Sequence, residues 1–346
     1  MLKLLARHLG LNCMKKTHLE ISRRIGKLDF GRLYPGFHPF RFALYNDKKV
    51  CFGETEIPWD RRFVANTAID YNNEIIAIWD MKCACADMDI FASLMVHEML
   101  HAYQHECGTA FPDDLVGIFY PRNLDNFTLR FRENQLLAGL TEKFDATVWA
   151  DFKAIRAYRR QQHQEAVDYE IKTESIEGSA QFVELSALKQ LSSDLYRKRL
   201  DRILLRLRSP EKIFDARLLS YDTGSLIRMV IADNGMDQPD WAQEKPCADI
   251  PSQEVPGIRE EFDKYFSAID KKVQELLSAA EKMDISGRTL TGFDPYNVRS
   301  SGNYLYHPNF IGVANDGEKP EFFTGTFVTK MAPRSRTIEE AWRAGT

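Results

Sequence analysis

Cysteine is scarce and unpatterned: Cys13, Cys51, Cys83, Cys85, Cys107 and Cys247 have no framework spacing, which excludes a disulfide-built scaffold. Cys83-Ala84-Cys85 is not a Cys-x-x-Cys pair, so all six are expected as reduced thiols in a cytoplasmic protein. Long apolar runs are missing. The opening residues 1–16 are too short and too broken by charge to read as a signal peptide or a membrane span. There is no basic excess either; the net charge of −4 gives neither nucleic acid nor an anionic membrane surface a reason to bind. Internal repeats and low-complexity tracts are absent, which excludes solenoid arrays and compositionally disordered chains. What remains is an ordinary globular composition on 346 residues, enough for two lobes sharing a cleft.

Against that background one stretch stands out, Leu94 to His105, which contains His97-Glu98-x-x-His101 inside a run that reads as helix. Residues four apart lie on one helical face, so the two imidazoles can converge on one metal ion. Glu98 projects beside that ion, where it can take a proton from water. Ile90, Phe91, Leu94, Met95, Val96, Met99, Leu100 and Tyr103 make the helix apolar all round, which predicts burial. Buried histidines and a buried glutamate need compensation, and a divalent metal supplies it.

Ahead of this helix the period is that of strands. Residues 40–45 alternate, 50–52 continue an extended pattern, and Asn72-Asn73 reads as a hairpin turn between 62–71 and 74–79. A small, largely antiparallel sheet is expected there, either covering the helix or holding an extended substrate by strand addition. After irregular residues 109–128, one long helix is expected from about 129 to 160. Leu137, Leu140, Trp149 and Phe152 lie on its inner face, and Arg156, Arg159 and Arg160 on a solvated end. A second helix is expected at about 165–192 and a further one at about 257–282. Between the last two, the proline-rich 237–257 reads as a loop. From 284 onward short alternating segments predict a β-rich C-terminal region.

A catalytic metal bound by two helical histidines needs a third protein ligand and an open position. The metzincin pattern fails, because Gln104 and Cys107 stand where it requires glycine and histidine, and His105 is too far along the helix to share the ion. Glu177 is the favoured candidate: its segment turns apolar after it, and Gly178 beside it would let that helix approach the metal helix closely. Glu133 is the alternative, on a helix nearer in sequence, and Glu174 shares a face with Glu177 and could act from behind it.

His97-Glu98-x-x-His101 followed by Glu177-Gly178-x-Ala180-x-x-x-Glu184 resembles the gluzincin metallopeptidases, above all the Glu-Gly-x-Ala signature of aminopeptidases and their relatives. The resemblance covers about a quarter of the chain. It implies Glu177 as the third zinc ligand and Glu184 as the family's later glutamate, with the 129–163 helix inserted between the two motifs. It also implies a tyrosine helix, matched by residues 218–227, in which Tyr221 would donate to a tetrahedral oxyanion. His307 is an alternative donor. No exopeptidase substrate-anchoring motif is present.

The resulting expectation is an α+β, predominantly helical, zincin-like protein with an N-terminal lobe (1–128), a helical lobe (129–283) and a β-rich C-terminal segment (284–346). It would hold one catalytic Zn²⁺ and hydrolyse peptide or protein substrates with Glu98 as general base. Competing readings are a SprT-like DNA-associated protease, a non-peptidase zinc hydrolase and an inactive zinc-binding module. An intact Glu98 argues against the last.

Overall fold

The computed structural model describes residues 13–246 and 255–345. The first helix, α1 (Cys13–Ile25), is followed by strands β1 (Phe42–Tyr45), β2 (Lys49–Cys51), β3 (Glu56–Pro58), β4 (Thr67–Tyr71) and β5 (Glu74–Asp80). They form one sheet in the order β3-β2-β1-β5-β4. Asn72 and Asn73 adopt left-handed φ of 53° and 64°, the conformation of a two-residue hairpin turn, and set Tyr71 opposite Glu74. The sheet is mixed: β1 runs parallel to β5, with Leu44 beside Trp79. Both faces of β1 are buried, which the alternation alone does not reveal. Phe42 and Leu44 join the core under the helix that carries His97 and His101, whereas Ala43 and Tyr45 pack with Phe63, Tyr71, Ile76 and Ile78 on the other side.

The motif helix is α2 (Met88–Glu106), capped by Asp87, whose side chain accepts from the Asp89 and Ile90 amides. It is buried on nearly every side, as the apolar run predicts, and packs on β5 through Phe91 against Trp79. Four described cysteines, Cys51, Cys83, Cys85 and Cys107, are free.

The helical lobe departs from expectation in two places. The long helix is instead a hairpin, α4 (Leu124–Glu142) and α5 (Ala146–Gln162), preceded by the short α3 (Asp114–Ile118). Lys143 turns extended and Asp145 caps the new start, accepting from the Thr147 and Val148 amides. Local capping outweighs the continuous apolar stripe. The second correction concerns Arg156 and Arg159, which are buried instead of solvated. Folding the hairpin back brings them to Glu133, Glu170 and Glu174.

Next come α6 (Gln164–Thr173) and α7 (Ser179–Leu191), joined by a single wide π-helical turn over Glu174–Gly178, then α8 (Ser193–Leu207), α9 (Ala216–Asp233) and α10 (Ile258–Ala279). Of the expected 237–257 loop, residues 247–254 lie outside the described ones.

The C-terminal region is β-rich as expected, beginning slightly earlier at β6 (Glu281–Met283). It continues with β7 (Thr289–Phe293), β8 (Arg299–Ser301), β9 (Tyr304–His307), β10 (Phe310–Ala314), β11 (Glu321–Thr324), β12 (Phe327–Met331) and β13 (Ile338–Arg343). The sheets β11-β10-β7 and β6-β13-β12-β9-β8 share a core of Leu290, Leu305, Ile311, Val313, Phe327 and Ile338. Leu115 of α3 inserts into that core, and Arg299 pairs with Asp215, the cap of α9, at 3.1 Å. The C-terminal unit is thereby tied to the first turn of α9.

Candidate metal centre

His97 and His101 sit one turn apart on α2 with ring centroids 4.9 Å apart. The wide turn carries Glu177 to them. Its Oε2 lies 3.1 Å from Nε2 of His101 and 3.8 Å from Nε2 of His97. The three groups form a buried set whose ligand atoms all fall within 4.8 Å of one another. A π-turn inserts an extra residue into a helix, and such turns occur often at functional sites. Here the Ser179 hydroxyl donates to the Ser175 carbonyl within that turn.

Gly178 does not do what the sequence suggests. A Cβ on it would lie 2.5 Å from the Gly224 Cα of α9, so the close approach is to α9 and not to the metal helix. Gly224 is equally constrained, since a Cβ there would lie 2.6 Å from the Glu174 carbonyl oxygen. Helix α2 packs instead on α7, where Ala180, Val183 and Ala187 meet Met95, Val96 and Met99 in one core.

Each imidazole is held from behind. Nδ1 of His101 donates to Oε1 of Gln104 at 2.8 Å, and Nε2 of Gln104 donates to the Ile176 carbonyl at 2.9 Å. This chain ties α2 to the turn that presents Glu177, and it leaves the Nε2 lone pair of His101 directed toward Glu177. Oε2 of Glu184 lies 3.3 Å from Nδ1 of His97, outside ideal hydrogen-bond geometry, and Glu184 in turn pairs with Arg199 at 3.2 Å. Burial alone would lower the His97 imidazole, yet the Glu177 and Glu184 carboxylates carry it up to about 10. Burial opposes ionisation of Glu177, but His101, His97 and Arg217 hold its carboxyl well below the usual range.

Glu98 is buried at the same site, and burial raises its pKa against the pull of His97 and His101. Tyr221 of α9 stacks on the His97 ring at 6.3 Å. Its hydroxyl shares a 2.9 Å hydrogen bond with Tyr296. Three residues that sequence reasoning missed complete the surroundings. Arg217, one turn before Tyr221 on α9, donates from Nη2 to Oε1 of Glu177 at 2.8 Å and from Nη1 to Asp114. Tyr296 comes from the β7–β8 connection of the C-terminal unit, where Asp294 accepts from its amide. Phe111, half exposed, lies with its ring 5.9 Å from that of His101. Only the i, i+4 spacing of Arg217 and Tyr221 hinted at any of them.

Other sequence candidates are placed elsewhere. Glu133 is committed to Arg159 at 2.6 Å, and Glu174 to Arg156 at 2.6 Å and to the Thr223 hydroxyl, so neither faces the metal group. His307 is a correction as well: it is buried inside the C-terminal unit with Nε2 at 2.9 Å from the Thr329 hydroxyl. It follows the inward alternation of β9 and has no access to the site.

No family model matches the chain, and neither a curated protein nor a solved structure matches it. No helix among the described residues is long and apolar enough to cross a membrane. The fit of a metal is therefore judged on the donor set itself. Glu98, Glu177 and Glu184 bring three carboxyls to a buried place where Arg199 pairs with Glu184 and Arg217, itself shared with Asp114, pairs with Glu177, leaving a need for positive charge. Two protonated imidazoles would fill it, and so would one divalent cation held by neutral ones. Two imidazole nitrogens and a carboxylate oxygen suit such an ion.

Proposed function

We propose that the chain is a zinc-dependent metallopeptidase of the gluzincin type with a zincin-like arrangement of sheet and metal helix. The observation that carries this reading is the convergence of His97 Nε2, His101 Nε2 and Glu177 Oε2, with Glu98 buried beside them. A two-nitrogen, one-oxygen set favours zinc over calcium or magnesium, which take oxygen ligands. Zinc held there supplies Lewis acidity to a water molecule and to a substrate carbonyl.

The chain's own residues do the rest. Glu98, with its pKa raised by burial, accepts the proton that water loses and returns it to the leaving amine. Gln104 holds the His101 imidazole with Nε2 turned inward, and the Glu184 carboxylate stands behind Nδ1 of His97. The Tyr221–Tyr296 hydroxyl pair offers a donor for the developing oxyanion. Strand β4 is an edge strand in the described sheet, beside α2, and leaves backbone groups for an extended peptide.

The test is hydrolysis of a peptide library by the zinc-loaded protein, with Glu98→Gln alongside. Cleavage should occur in the wild type and vanish in the variant while zinc content stays at one per chain. Zinc-loaded wild-type protein that cleaves no peptide would sink the peptidase reading and leave a zinc hydrolase of other substrates or a binding module.

A further inference from the structure

The two oxygens of the Glu177 carboxylate face different partners. Oε2 points at the imidazole pair, whereas Oε1 accepts from Nη2 of Arg217 at 2.8 Å. A carboxylate with both oxygens free can chelate a cation through both, the mode that builds the six- to eight-oxygen shells of calcium. One oxygen already committed leaves a single donor. Arg217 is itself fixed: its other arm donates to Asp114, its side chain is 14% exposed, and its guanidinium lies 5.5 Å from the Tyr296 ring. Asp114 belongs to α3 and Tyr296 to the C-terminal unit, so the guanidinium is placed by elements that hold no metal ligand.

We propose that Arg217 is a positioning residue that restricts Glu177 to one-oxygen donation and so keeps the centre four-coordinate, with three protein donors and one open position. The inference rests on the metal-centre reading above. Its physical basis is that a charge-assisted hydrogen bond to Oε1 must be broken before that oxygen can reach the ion. Asp114 neutralises the arginine and makes its charge tolerable beside a cation.

The experiment uses the full-length protein loaded with cobalt(II), whose visible absorption reports coordination number, alongside zinc affinity from chelator competition. Wild-type protein should show the intense bands of a four-coordinate ion. Arg217→Met should bind cobalt with weaker, shifted bands and bind zinc about 10–100-fold less tightly. Asp114→Asn keeps an oxygen that accepts from Arg217 and should keep the wild-type spectrum, while the arginine charge it no longer offsets should weaken zinc binding. Circular dichroism checks that each variant is folded. If the methionine variant is not, Arg217→Gln, whose side chain is too short to reach Oε1, carries the same comparison. An Arg217→Met spectrum superimposable on wild type overturns the inference. A wild-type protein that binds no cobalt overturns the metal centre itself and this inference with it.

Discussion

Gln104 offers the sharpest test of how the centre is held, because one side chain makes two bonds with separable consequences. Gln104→Leu removes both while keeping the volume. It strands the His101 Nδ1–H and the Ile176 carbonyl, which are 2.8 Å and 2.9 Å from the amide in the native protein. Each stranded buried group costs about 1–3 kcal/mol, so the metal-free protein should lose roughly 2–6 kcal/mol, the lower end being expected because Gln104 lies at the edge of the buried region. Zinc affinity should fall about 10–100-fold, since His101 is no longer held in the right tautomer. Gln104→Glu separates the two effects. Its carboxylate still accepts from His101 but cannot donate to Ile176, so zinc binding should survive while stability falls. Urea unfolding of the chelated protein gives the first quantity and chelator competition the second. A leucine variant that binds zinc as tightly as wild type would refute the chain from Gln104 to the metal, whatever its stability.

The remaining expectations concern other parts of the frame. Glu177→Ala should lower zinc affinity sharply. Glu133→Ala should instead destabilise the fold by about 3–5 kcal/mol, by breaking the buried pair with Arg159, and leave the metal site of the folded fraction intact; equal loss of zinc in both would refute the ligand assignment. Gly224→Ala should cost about 1–3 kcal/mol in urea unfolding, since its Cβ meets Glu174, and should weaken zinc binding through the displaced turn. Burial drives the folded pKa of His307 to about 3 from 6.5. The unfolded chain therefore takes up a proton, as pH falls through that interval, that the folded chain refuses. Stability should drop by up to about 1.4 kcal/mol per pH unit below about 6.5. His307→Gln keeps a polar partner for Thr329 and should flatten that acid limb in denaturation series; an unchanged slope would refute the burial argument.

The residues of the candidate metal site were legible because each is announced locally. His97 and His101 are fixed by helical spacing, and Glu177 by the short motif around it. Asn72-Asn73 announced its turn for the same reason. The broken helix was legible too, through Asp145 and Thr147, but the apolar stripe from Leu137 to Phe152 masked the cap. What depends on distant partners was not readable. Arg156 and Arg159 look like a solvated end until the hairpin folds them onto Glu133 and Glu170. Gly178 proved constrained by Gly224, 46 positions later. Tyr296 arrives from another unit altogether, and His307 faces inward because of a strand register that its neighbours alone do not fix.

The wide turn between α6 and α7 changes what the loss of a residue means. An α-helix advances about 100° per residue; the wide turn over Glu174–Gly178 takes up one additional residue, so the helices before and after it keep the phase they would have without that residue. Substituting the exposed Ser175 is a surface event. Deleting it would close the wide turn into a regular helix; the flanking halves would keep nearly the same phase, but Glu174 and Glu177, which both lie in the turn, would be re-aimed relative to each other. Glu174 could then not keep Arg156 while Glu177 keeps the histidines. In lineages that carry this site, insertions and deletions should accumulate in the connection between α4 and α5 and be excluded from these five positions, even where side-chain identity drifts.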